Sequence, residues 1–129
     1  PLRSRGHEVA DLGTDDPGRS VDYPDFAFAV ARAVGSGEAD LGVLTCGTGI
    51  GMSIAANKVR GVRAALCHDV TTARLAREHN DANVFVVGAR LIGVPLAMEL
   101  LDAFLAAGFE PRHQRRLDLI AREEGGGPR

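Results

Sequence analysis

"LGVLTCGTGIGMS", residues 41–53, joins an apolar run to a cysteine and then to glycines at positions 47, 49 and 51. The apolar run reads as a buried strand, the glycines as a tight turn, and the residues after them as a helix reaching about Lys58. A strand that enters a helix through such a turn is the repeating unit of a parallel sheet. The rest of the chain repeats it.

Counting that first run as 40–46, three further runs read as strands: "HEVADLG" at 7–13, "VRAALC" at 62–67 and "NVFVVGA" at 83–89. Helical patterns lie between and after them. "YPDFAFAVARAVGSG" carries Pro24 in its first turn, Phe26, Val30 and Val34 along one stripe, and Gly35 as a stop. In "DVTTARLAREHN", Asp69 is placed to cap the helix and Ala73, Leu75 and Ala76 form its apolar side. "VPLAMELLDAFLAAG" aligns Leu96, Leu100 and Phe104 and meets Gly108, and a last helix from Pro111 to Glu123 is amphipathic through His113, Leu117 and Ile120. The opening residues read as a helix end stopping at Gly6, and the closing "GGGPR" as a frayed tail. Strands apolar on both faces, alternating with helices, predict an α/β fold: a parallel sheet between two helical layers, three-layer αβα. Ligands of such sheets bind beyond the strands' carboxyl ends, here near Cys46, Cys67 and Gly88.

Composition narrows the function. The 129 residues make one domain, 1–129, with 45% hydrophobic and 25% charged residues and a net charge of −2. That balance supplies no global basic field for nucleic acid. No run of about 18 apolar residues predicts a membrane span, and two cysteines without zinc or disulfide spacing predict a reducing compartment, the cytoplasm.

The glycine turn admits two chemistries. Gly47 and Gly49 match the first two glycines of a dinucleotide-binding fingerprint, with Asp69 about 20 residues on as the ribose-binding acid, but Met52 stands where the third glycine belongs. The other reading centres on Cys46. Backbone N–H groups at a helix start are worth roughly 0.3–1 kcal/mol to a nearby anion, and about 2 kcal/mol when partly buried, which favours a reactive thiolate. With the Thr48 hydroxyl, the same N–H groups form a cup for an oxyanion, where one donor is worth roughly 3–4 kcal/mol. An inert buried thiol is the bland alternative for Cys46. Cys67, with no glycine cup behind it, reads as inert.

Four separated segments, "DYP" at 22–24, "CGTGIGMSIAANK" at 46–58, "REHNDANVFVVGAR" at 77–90 and "RHQRR" at 112–116, together resemble the type B ribose-5-phosphate isomerase family, which also holds galactose-6-phosphate isomerase subunits. The resemblance runs essentially end to end. It implies a Rossmann-like sheet without a nucleotide, in homodimers or homotetramers whose sites are built across a two-fold interface. It also implies aldose-ketose isomerisation of a phosphorylated sugar, ribose 5-phosphate first, by proton transfer through an enediolate with neither metal nor cofactor. One branch of the family carries a glutamate where this chain has Met52, so this chain looks like the cysteine type, with Cys46 as the base.

Residue by residue, the resemblance implies that Thr48 and the N–H groups of Gly47, Gly49 and Gly51 hold the enediolate. His79 would open the furanose ring, Asn80 bind a sugar oxygen, and Tyr23 line the pocket. Arg112 and Arg116, one helical turn apart, would hold the phosphate, with Arg90 contributed by the neighbouring subunit. Without the resemblance, His79 reads as a surface residue at a helix end, the arginine pair as a solvated face, and His7, His68 and His113 as structural or surface residues. Isomerisation of galactose 6-phosphate, allose 6-phosphate or a tetrulose 4-phosphate is the neighbouring expectation. The family opens with a strand ending in an Asp-His pair that would precede Pro1, which makes a truncated, non-catalytic subunit the remaining one.

Overall fold

Strands and helices alternate along the chain in the computed structural model, which describes residues 2–16, 18 and 20–125. In order they are α1 (Tyr23–Gly35), β1 (Gly42–Cys46), α2 (Ile50–Ala56), β2 (Ala64–Leu66), α3 (Val70–Asn80), β3 (Val84–Gly88), α4 (Val94–Ala106) and α5 (Gln114–Glu123), with 3-10 turns at Arg3–Arg5 and Pro111–His113. The strands are parallel in the order β1-β3-β2, with Gly42 opposite Val84, Cys46 opposite Gly88 and Leu66 opposite Val86. This is the Rossmann-like αβα fold that the sequence predicts.

Burial follows the strand period of two. On one side of the central strand, Val84 and Val86 pack with Leu44 against Ala27, Ala31 and Val34 of α1 and Met52, Ala55 and Ala56 of α2. On the other, Phe85 and Val87 meet Ala73 and Ala76 of α3 and Leu100, Leu101 and Phe104 of α4. Small alanines on the inward faces of α1, α2 and α3 let those helices lie close to the sheet. The rings of Phe85 and Phe104 stand 5.4 Å apart, and burying each contributes roughly 1.5–3 kcal/mol. Asp69 caps α3 as expected, its carboxylate accepting the Thr72 N–H at 2.7 Å.

Several expectations change. Residues 7–13 form no strand: their hydrogen bonds are local, as from Gly13 N–H to the Asp11 carboxylate, and Leu12 is exposed. A strand exists only against a neighbour, and among the described residues β1 and β2 are the sheet's two edges, neither paired with residues 7–13. β1 is covered on one face only, by α1 and α2, with Val43 43% exposed on the other, instead of buried on both. Leu96 and Ile120 face outward. α4 ends at Ala106, before Gly108, because Ala107 is already extended. The last helix starts at Gln114, after the 3-10 turn. Gly6 does end the opening turn, in the left-handed conformation. Apart from Gly125, the closing "GGGPR" lies outside the described residues. Among the described residues no helix is long and apolar enough to cross a membrane.

Candidate active site

Cys46 ends β1, and its sulfur accepts the Gly49 N–H at 3.2 Å. That bond requires the chain to double back within three residues. Gly49 makes this possible with φ +80, in a spot where a Cβ would stand 2.5 Å from Leu66 Cδ1. The neighbouring strand braces the turn, Ala89 N–H donating to Cys46 O at 2.8 Å and Arg90 N–H to Gly47 O at 2.9 Å. Thr48 Oγ1 accepts the Ile50 N–H at 3.2 Å, which fixes its hydroxyl at the rim. Two larger side chains close over the glycines. The Tyr23 ring fills the space above Gly51, where a Cβ would meet it at 2.5 Å, and Arg90 Nε lies 3.3 Å from the corresponding point on Gly47. Arg90 thus packs on the glycine turn that follows Cys46. Cys46, Gly47, Thr48, Gly49, Gly51, Tyr23 and Arg90 form one group at the carboxyl end of the sheet.

The dinucleotide alternative loses its acidic residue and keeps its mismatch. Met52 is buried between α1, α2 and the sheet, and the Asp69 carboxylate is taken up by the helix cap. Cys67 is 1% exposed, and burial, aided by the negative charge of Asp69, pushes its thiol up to about 11. It is chemically quiet at neutral pH.

His79, Asn80, Arg112 and Arg116 are elsewhere. α3 leaves the carboxyl end of β2, runs back antiparallel to the strands and finishes with His79 and Asn80 just before β3 begins. Cys46 lies opposite the far end of β3. Five strand residues separate the two levels, roughly 13 Å along the sheet at about 3.3 Å per residue. One chain thus carries two groups of polar residues at opposite ends of its sheet.

The second group is internally connected. Glu110 N–H donates to Glu78 O at 2.9 Å, clipping the Pro111–His113 turn onto the end of α3. Arg112 donates to the Glu110 carboxylate through Nε and Nη2, each at 2.9 Å, and this holds the carboxyl below its ordinary value. The Arg116 guanidinium donates to His113 Nδ1 at 3.3 Å, and the rings of His113 and His79 stand 4.4 Å apart. Sequence reasoning misses Glu110 and reads His113 as a structural or surface residue. The signal available is the Glu110 and His113 spacing of three beside two arginines. His79, Glu110 and His113 offer donor atoms within 4.8 Å of one another, a nitrogen and oxygen set that a divalent metal could use. Arg112 and Arg116 already occupy two of the three, so the local field favours an anion.

The ribose/galactose isomerase family matches residues 1–120. Ribose-5-phosphate isomerase B of Escherichia coli is 50% identical over 120 residues, 92% of this chain and 80% of that protein. The galactose-6-phosphate isomerase subunit LacB of Clostridium acetobutylicum is 51% identical over 115 residues, 89% of this chain and 66% of the relative. D-erythrulose-4-phosphate isomerase of Pectobacterium atrosepticum is 49% identical over 109 residues, 84% and 72% of the two chains. Among solved structures, ribose-5-phosphate isomerase B of Clostridium thermocellum matches with a TM-score of 0.93 at 51% identity, covering 96% of this chain and 84% of that one.

Proposed function

The chain belongs to the ribose/galactose isomerase family and is a sugar-phosphate isomerase, and from that premise we propose that it interconverts ribose 5-phosphate and ribulose 5-phosphate through proton transfer at Cys46. The observation that carries the reading is the Cys46 sulfur, half-buried at a strand's carboxyl end with the Gly49 N–H 3.2 Å away. As a thiolate it takes the proton from C2 of the open-chain aldose. The electron pair forms the C1–C2 double bond, and the carbonyl oxygen becomes the enediolate oxyanion. Thr48 and the N–H groups of Gly47 and Gly51 stabilise that charge, joined by the Gly49 N–H as the sulfur, now protonated, releases it, and the thiol returns its proton to C1 as the hydroxyl proton of O2 passes to O1.

His79 opens the furanose by giving a proton to the ring oxygen, Asn80 holds a sugar oxygen, and Arg112 and Arg116 hold the phosphate. Because these residues lie at the other sheet end from Cys46, the reading requires a second copy to bring its own His79 end to the Cys46 end of the first. A two-fold homodimer, alone or within a homotetramer, accomplishes this twice. Tyr23 lines the pocket, and Arg90, packed on the glycine turn of one chain, adds a third cation for the phosphate held by Arg112 and Arg116 of the other. A base that works as a free thiol suits the reducing cytoplasm.

Replacing Cys46 by Ala tests the assignment. Turnover of ribose 5-phosphate should fall by about 10²-fold or more, while calorimetry still registers sugar-phosphate binding. Undiminished turnover would remove Cys46 as the base. A panel of ribose 5-phosphate, galactose 6-phosphate, allose 6-phosphate and erythrulose 4-phosphate, compared by kcat/KM, decides the substrate.

A further inference from the structure

We propose that His113 is a positioning residue for His79, holding that imidazole at the angle its proton transfer needs. The inference rests on the ring-opening role proposed for His79 and adds a residue to it.

The two rings approach with centroids 4.4 Å apart at an interplanar angle of 37°. His79 is the penultimate residue of α3, where a side chain at a helix end has rotamers to choose from. His113 restricts them, because it is itself fixed. It is only 6% exposed. Its backbone N–H donates to Glu110 O at 3.1 Å, and Glu110 N–H donates to the carbonyl of Glu78, the residue immediately before His79. The stacking partner is therefore tied to the backbone that carries the ring it supports.

The protonation pattern of His113 suits the task. Arg116 donates to Nδ1, which must present a lone pair, so the neutral ring carries its proton on Nε2. Nε2 is buried without a hydrogen-bond partner and faces Glu110 Oε2 at 3.6 Å. Burial first, then the positive charges of Arg112, His79 and Arg116, hold His113 below the ordinary histidine value, with Glu110 opposing. An uncharged ring can lie against His79 while the latter gains and loses a proton. A second imidazolium there would repel the protonated form.

A merely structural role and a positioning role differ in kinetics. With ribose 5-phosphate, His113→Ala should lower kcat by about tenfold or more and, because it removes the Arg116 acceptor, raise KM as well. His113→Phe, which keeps an aromatic face and loses the same Arg116 acceptor, should raise KM to a similar extent but retain most of kcat. In a His79→Asn background, His113→Ala should cost no further kcat. NMR should show the His79 Cε1–H resonance shifted by the adjacent ring, the shift surviving in His113→Phe and vanishing in His113→Ala. A wild-type kcat in His113→Ala, whatever its KM, or a full additional loss of kcat in the His79→Asn background would overturn the proposal. If His113→Ala fails to fold, a His113→Phe enzyme with collapsed kcat overturns it equally. An unchanged His79→Asn enzyme would instead overturn the ring-opening reading, and the positioning role with it.

Discussion

Two cysteines in one small domain meet opposite fates because their C-terminal neighbours differ. Cys46 precedes glycines that fold an amide back onto its sulfur and leave it half-buried. Cys67 precedes a capped helix whose Asp69 adds negative charge to a site already starved of water, and its thiol donates to Ala65 O. Iodoacetamide at pH 8 should therefore modify one thiol per native chain, at Cys46, and both thiols once the chain is unfolded. Peptide mass spectrometry reads the outcome, and rapid native labelling at Cys67 would contradict its burial. The sign with pH is fixed by the same facts. Above about pH 9 the unfolded chain gives up the Cys67 proton and the folded chain keeps it, so this residue's contribution to stability falls from there toward about 11.

At the scale of elements, α3 illustrates how much one residue decides. Its cap bond, 2.7 Å from the Asp69 carboxylate to Thr72 N–H, is worth about 1 kcal/mol. Asp69→Ala should lower Tm by roughly 4 °C in calorimetry, with Asp69→Asn recovering most of it. An unchanged Tm would mean the cap contributes nothing. Helices of this kind are legible in the sequence because cap, apolar stripe and stop are all local. β1, β2 and β3 are legible too, as apolar runs between glycines and charges. The stretch 7–13 misleads because its alternation is a property of the stretch, whereas a strand is a property of a pair. His113 escapes notice for a related reason. An i, i+4 pattern with Leu117 marks it as core-facing, and nothing local says that the core side of this turn carries another imidazole.

For the molecule as a whole, the decisive fact is the distance between its two polar groups. The motifs naming Cys46, His79 and Arg112 are all visible in the sequence, but which end of the sheet each occupies depends on the direction of the helices between strands. A mixing experiment tests the proposed remedy of a shared site. Cys46→Ala chains and His79→Asn chains, each nearly inactive alone, should regain roughly a quarter of wild-type activity when unfolded and refolded together in equal amounts. Half of the random pairs are then hybrids with one intact site of two. No recovery would confine the site to one chain.

The polarity of the fold also limits which assemblies avoid waste. On the proposed shared-site reading each chain carries one half-site at either pole, so copies joined head to tail leave one pole open at each end, free to recruit another copy, unless their rotation closes a ring. A pair related by a two-fold axis satisfies both poles at once. On that reading a two-fold pair is the smallest complex that both completes the chemistry and stops the growth.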